Sequence, residues 1–145
     1  MAHKAKQRPR QADLRRAVSS AYYAMFHALC ELSADNFIGT PHVDRCERAW
    51  KQTYRAMNHR DANKACIKCE NPRYGFPSEI TSFARYFKTM QELRHSADYD
   101  PITKFHKADV QAQISSCKAA IKDLNQLNGR HKSAFAAIML FKTRD

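Results

Sequence analysis

The chain has 145 residues, 43% of them hydrophobic, which is enough for one domain with its own core and too apolar for a disordered chain. Three glycines and few β-branched residues argue against a sheet-rich fold, and no apolar run is long enough to span a membrane. A formal net charge of +11 favours an anionic partner (RNA, DNA, a nucleotide or an acidic protein) over a surface that is basic only for solubility.

Residues 1–10 read as a flexible basic arm carrying Lys4, Lys6, Arg8 and Arg10. The arm lacks the apolar core of a secretion signal. The five cysteines are Cys30, Cys46, Cys66, Cys69 and Cys117. An odd number without a signal peptide fits reduced thiols and a cytoplasmic protein. Residues 11–145 read as a single helical domain without internal repeats.

The first helix is predicted from about Gln11 to Asp35, with Gly39 closing its turn. Leu14, Val18, Ala21, Met25, Ala28, Leu29 and Leu32 fall on one arc at helical spacing. Asp13, Arg16, Ser20, Tyr23, His27 and Glu31 fall on the opposite arc. Tyr22, Tyr23, Phe26 and Cys30 lie on or beside that polar side, where a surface helix would carry plain charge. The mixture predicts a helix covered on both faces, the second meeting a pocket or another subunit.

Thr40 and Pro41 predict the entry to a second helix, as N-cap and first helical residue. Its apolar stripe is Val43, Cys46, Trp50, Tyr54 and Met57. Its basic ribbon is Arg45, Arg48, Gln52, Arg55 and His59, and the pattern fades near Asn63. Together with the arm, this ribbon can track a phosphate backbone; it is otherwise a solvated helix face. Two prolines and a glycine between Glu70 and Pro77 mark a loop.

Ser78 is the predicted N-cap of a third helix with Phe83, Tyr86, Phe87, Met90, Leu93 and Ala97 inward, ended by Pro101. Val110, Ile114, Cys117, Ile121 and Leu124 repeat at alternating spacings of four and three, the packing pattern of a bundle helix, with Asn128-Gly129 as its stop. A short apolar segment from Ser133 to Phe141 is predicted to dock on the bundle or on a second chain.

Two constellations can carry chemistry. Arg94 lies at the edge of the third helix's apolar face with Asp98 one turn on. Such an arginine can fork onto a phosphate or a carboxylate, or simply pair locally with Asp98. Cys66 and Cys69 have a two-residue gap that suits zinc, but no second such pair follows and a structural site needs four ligands, so no metal is expected.

The run Tyr22-Tyr23-Ala24-Met25-Phe26-His27, followed by Leu93-Arg94-His95-Ser96-Ala97-Asp98-Tyr99-Asp100, resembles the HEPN family (higher eukaryotes and prokaryotes nucleotide-binding). The Thr40-Pro41-His42 segment is also similar, and the resemblance spans about Arg10 to Gly129. It implies an all-α fold: an up-and-down four-helix bundle, here with a short fifth C-terminal helix, assembled as a homodimer. It also implies a nucleotide- or RNA-binding module, often paired with a small nucleotidyltransferase in toxin–antitoxin, stress or defence systems. The active branch of the family consists of metal-independent ribonucleases that need no cofactor.

Those ribonucleases place a histidine five to seven positions after the arginine. Here Tyr99, Asp100 and Pro101 stand at those places. Arg94 supplies the cation for a phosphate, while a base must come from elsewhere, with His27 and His95 as candidates. Arg94, Asp98, Tyr99, Tyr23, Arg16, Arg45, Arg48 and Arg55 are the expected nucleotide or RNA contacts. A scaffold that binds an acidic protein without chemistry is the remaining alternative.

Overall fold

A computed structural model of the protein describes residues 10–144. The expected basic arm falls, apart from Arg10, outside the described residues. The described residues are all-helical, with no strand. The elements are α1 (Gln11–Phe37), α2 (Glu47–Ala56), α3 (His59–Glu70), a single 3-10 turn (Pro72–Tyr74), α4 (Ser78–Tyr99), α5 (Lys107–Asn125) and α6 (Gly129–Leu140).

The long helix α1 is the hub, packed against α2, α4, α5 and α6. Its apolar arc explains this: Leu14, Val18, Ala21, Met25, Leu29 and Leu32 are all buried. Tyr22, Phe26, Cys30, Ser33 and Ala34 are buried as well, so the apolar sector is wider than one stripe. The core continues through Phe83, Phe87 and Met90 of α4, Cys117 and Leu124 of α5, and Phe135 of α6. Each buried side chain of that size contributes about 1.5–3 kcal/mol by leaving water.

The predicted second helix is the main correction. Thr40 to Cys46 is irregular, and Val43 is exposed rather than part of an inner stripe. Gly39 sits at φ 144°, and a Cβ there would come within 2.7 Å of Val43 Cγ2, so the chain turns sharply at this point. Arg45 then clasps the turn. Its Nη1 donates to the Gly39 carbonyl (3.1 Å) and contacts Asp35, its Nε donates to Glu47 (2.6 Å), and its guanidinium stacks on Trp50. Helix therefore starts only at Glu47.

That helix also ends early. Met57 is extended and Asn58 caps a new helix, accepting from the Asp61 amide (2.8 Å) while its amide donates to the Asp61 carboxylate (2.9 Å). The expected single helix is thus a pair, α2 and α3, and the sequence's third and fourth helices are α4 and α5. Ser78 is the first residue of α4 rather than its cap. Asn128-Gly129, expected to stop α5, instead starts α6: Asn128 accepts from the His131 amide (2.9 Å). The apolar C-terminal segment does dock on the bundle, against α1 and α3.

Candidate functional site

Three helices bring polar groups to one edge of the core. Successive turns of α1 place Ser19, Tyr23 and His27 on a line beside α4 and α2, while Tyr22 turns inward and is fully buried. Opposite them, α4 offers Gln91, Arg94 and Asp98 at helical spacing. The first residue of α3, His59, fills the space between.

Arg94 is sandwiched in this seam. Its Nη2 donates to the Tyr23 hydroxyl (2.9 Å), and its guanidinium carbon lies 5.3 Å from the Tyr23 ring centre and 5.7 Å from that of Tyr22. Nε sits 3.0 Å from Asp98 Oδ2 without the alignment of a hydrogen bond, so that contact is ionic. Asp98 Oδ1 accepts from Ser19 Oγ (2.6 Å). Arg94 is 20% exposed at its side chain and Nη1 makes no hydrogen bond among the described residues. Burial works against the charge, but Tyr23 and Asp98 outweigh it and hold the guanidinium charged.

Two histidines flank the same tyrosine, and a tyrosine hydroxyl meets Nδ1 of each. His59 Nδ1 lies 2.6 Å from the Tyr22 hydroxyl, and His27 Nδ1 lies 2.7 Å from that of Tyr54. The His59 ring stacks on Phe26, 4.0 Å between centres, and stands edge-on to Tyr23 at 5.7 Å. His27 lies 6.4 Å from Tyr23. Burial, reinforced by Arg94 and His27, pushes His59 below the usual imidazole range. Burial also lifts the Tyr22 phenol to about 12, against the opposing pull of Gln91 and Arg94, so it stays protonated.

The expected site residues divide. Arg94, Asp98 and Tyr23 come together, with His27 one turn along α1. His95 and Tyr99 do not join them; their rings pair with each other, 5.0 Å apart, and Tyr99 is 66% exposed. The basic ribbon breaks up. Arg45 is the clasp described above, its side chain only 10% exposed, and His59 turns to the tyrosines. Arg48 and Arg55 remain, lining an open groove on the outer face of α2 with Lys51 and Gln52. Arg16 is exposed on α1. The outer arc of α1 is open in the single chain: Arg16, Ser20, Ala24, His27 and Glu31 are all exposed.

Several residues carry the arrangement without a signal at the level of motif or spacing. Gln91 donates to the Tyr22 hydroxyl (3.2 Å) and to the His59 carbonyl (3.3 Å), and accepts from Asn63 (2.5 Å). Arg15 reaches from α1 to the open end of α4, donating to the carbonyls of Ser96 (3.2 Å), Ala97 (2.9 Å), Asp100 (2.7 Å) and Thr103. That contact fixes the turn bearing Asp98 against α1. One clue was readable: Asn58 with Asp61 three positions on is a helix-start signature that announces α3, and with it His59.

The remaining candidates have other roles. Cys66 and Cys69 are fully buried; burial raises the Cys66 thiol well above its usual value and the Cys69 thiol to about 12. No group of three or more histidine, cysteine, aspartate or glutamate side chains among the described residues is placed to hold a metal ion. An open groove of about 570 Å³ between α4 and α5, bordered by Ser82, Tyr86 and Ser116, touches none of the Arg94 cluster. No helix among the described residues is long and apolar enough to cross a membrane.

No family model, no curated protein and no solved structure matches this chain.

Proposed function

We propose that the protein is a HEPN-type nucleotide- or RNA-binding module that recognises phosphate through the α1–α4 seam. The carrying observation is the setting of Arg94: two aromatic rings, the Tyr23 hydroxyl and Asp98 hold it in one pose. A guanidinium positioned this way, with Nη1 uncommitted, grips a phosphoryl oxygen without first losing its own freedom. The net charge of +11 draws polyanions to it, and the exposed Arg16, Arg48 and Arg55 extend the favourable field.

A homodimer is part of this reading. The open stripe of α1 is self-complementary: Arg16 and Glu31 lie equally far on either side of the Tyr23–Ala24 step, as do Ser20 and His27. Antiparallel packing about a twofold axis at that step sets opposite charges face to face and brings two Arg94 clusters together. A small nucleotidyltransferase in a toxin–antitoxin or defence setting is the partner that the resemblance suggests.

A second reading, a metal-independent endoribonuclease, is favoured by the position of His27. It is exposed, next to Tyr23, and its Nδ1 is engaged by Tyr54, leaving Nε2 for proton transfer. Incubating metal-free protein with structured RNA separates the two. Binding without cutting, weakened in a folded Arg94→Ala variant and falling with salt, is the result expected of the module. Cutting that Arg94→Ala and His27→Gln abolish supports the enzyme. RNA and nucleotides that are neither bound nor cut would sink both.

A further inference from the structure

The amide of Gln91 sets the direction of a hydrogen-bond chain that ends at the Arg94 cluster. The His59 carbonyl can only accept, so the Gln91 atom 3.3 Å from it must be the NH₂ group. The same group therefore donates to the Tyr22 oxygen, and the Gln91 oxygen accepts from Asn63. Tyr22 has a single proton, and its short contact is with His59 Nδ1 at 2.6 Å. The phenol proton goes there, so Nδ1 is an acceptor and the ring's own proton sits on Nε2.

His59 Nε2 makes no hydrogen bond among the described residues and is not one of the buried unpartnered atoms, so solvent reaches it. Its ring and the Arg94 guanidinium border the same two tyrosines, with centroid distances of 5.6 and 5.7 Å for His59 and 5.7 and 5.3 Å for Arg94. We propose that His59 Nε2–H and Arg94 Nη1 together form a phosphoryl-binding site at the rim of Tyr23, with the imidazole acting as a neutral donor whose tautomer is fixed by the Asn63–Gln91–Tyr22 chain. The proposal rests on the phosphate-recognition reading above and adds to it a ligand contributed by α3, outside both sequence motifs.

A neutral donor suits this place. A second cation packed against Arg94 would be disfavoured, whereas an imidazole N–H adds a hydrogen bond to the phosphoryl oxygen at no cost in like-charge repulsion. Polarity also has a definite lever. In Gln91→Glu the carboxylate can donate neither to the His59 carbonyl nor to Tyr22; it accepts from Tyr22 instead, whose oxygen then accepts from Nδ1–H of the neutral His59 ring. Nε2 becomes a bare lone pair and repels the phosphate.

The test uses the whole protein with nitrogen-15-labelled imidazoles. The His59 ring is expected to show the Nε2–H tautomer in the free protein; the Nδ1–H tautomer would overturn the proposal. Oligouridylate and uridine monophosphate are the probes. Stronger binding of the oligomer marks RNA as the source of the phosphoryl group, and equal binding marks a nucleotide. His59→Phe, which keeps a ring against Phe26 but has no donor, should weaken either ligand about tenfold, the usual effect of losing one hydrogen bond to a charged group. His59→Gln, which restores an N–H donor, should recover most of that loss. Gln91→Glu should weaken binding as His59→Phe does, and it serves as the second variant should His59→Phe fail to fold. Wild-type affinity in folded His59→Phe and Gln91→Glu, with binding lost in Arg94→Ala, overturns the role of His59 and leaves the Arg94 reading standing. Affinity unchanged in all three removes both.

Discussion

His59 links folding to pH with a sign that can be worked out. Its folded-state value is depressed, chiefly by burial, with Arg94 and His27 adding to the effect. A depressed group is protonated more readily when unfolded, so its contribution is fully present above the unfolded value of about 6.5 and is lost as pH falls through the folded value. The wild-type protein should therefore lose stability as pH falls below about 6.5. The chain has seven histidines, so the informative quantity is the difference from His59→Gln. Thermal melts should converge as the pH falls, because the variant lacks this term. Parallel melting curves over that range would show that His59 is not held neutral. At this scale the site was half legible in the sequence. Arg94, Asp98 and Tyr23 were readable because helical spacing brings the first two together and a motif supplies the third. The role of His59 was not: the Asn58–Asp61 helix start places it at the head of α3, but its hydroxyl partner Tyr22 lies 37 positions away and no local pattern links the two.

Between elements, the joint of α1 and α4 depends on Arg15. The last carbonyls of a helix have no intrahelical partner, and here a side chain from another helix satisfies them. Arg15→Met keeps the aliphatic stem and strands those carbonyls. It should lower unfolding free energy by about 2 kcal/mol, read by denaturant titration. It should also loosen the turn bearing Asp98, and on the proposed reading RNA binding should weaken with it, since the Arg15 guanidinium is engaged by those carbonyls. A variant as stable as wild type would mean that water replaces the guanidinium freely. Helices α1, α4 and α5 were legible because their apolar periodicity runs over many turns. The segment between α1 and α3 was misread because Thr40-Pro41 is a local signal, overruled by the Arg45 clasp on Gly39, Asp35 and Trp50. Asn128 shows a related error: an Asn-Gly pair serves a helix end or a helix start, and only the backbone direction at that point decides.

For the whole molecule, the question is what covers the outer arc of α1. The sequence predicted cover on both faces, and in the single chain one face is open. The stripe Arg16, Ser20, Ala24, His27 and Glu31 has small residues at its middle and opposite charges at its ends, which is the pattern an antiparallel twofold contact uses. A positive chain opposes its own association, so complementary pairs at the ends are needed to set the register. Glu31→Arg converts both symmetry-related attractions into repulsions and should weaken the dimer by about tenfold, since exposed pairs are worth up to about 1 kcal/mol each. Arg16→Glu alone should do the same. The double exchange, Arg16→Glu with Glu31→Arg, restores both pairs and should restore association, because only a direct contact gives such non-additivity. Sedimentation equilibrium of the four proteins reads this. A double variant that dissociates as readily as the singles would place the interface elsewhere, and a wild-type monomer at every concentration would remove the proposed pairing of Arg94 clusters. RNA affinity of Glu31→Arg then shows whether two Arg94 clusters act together: if they do, affinity should fall although the change adds positive charge, which by itself favours RNA.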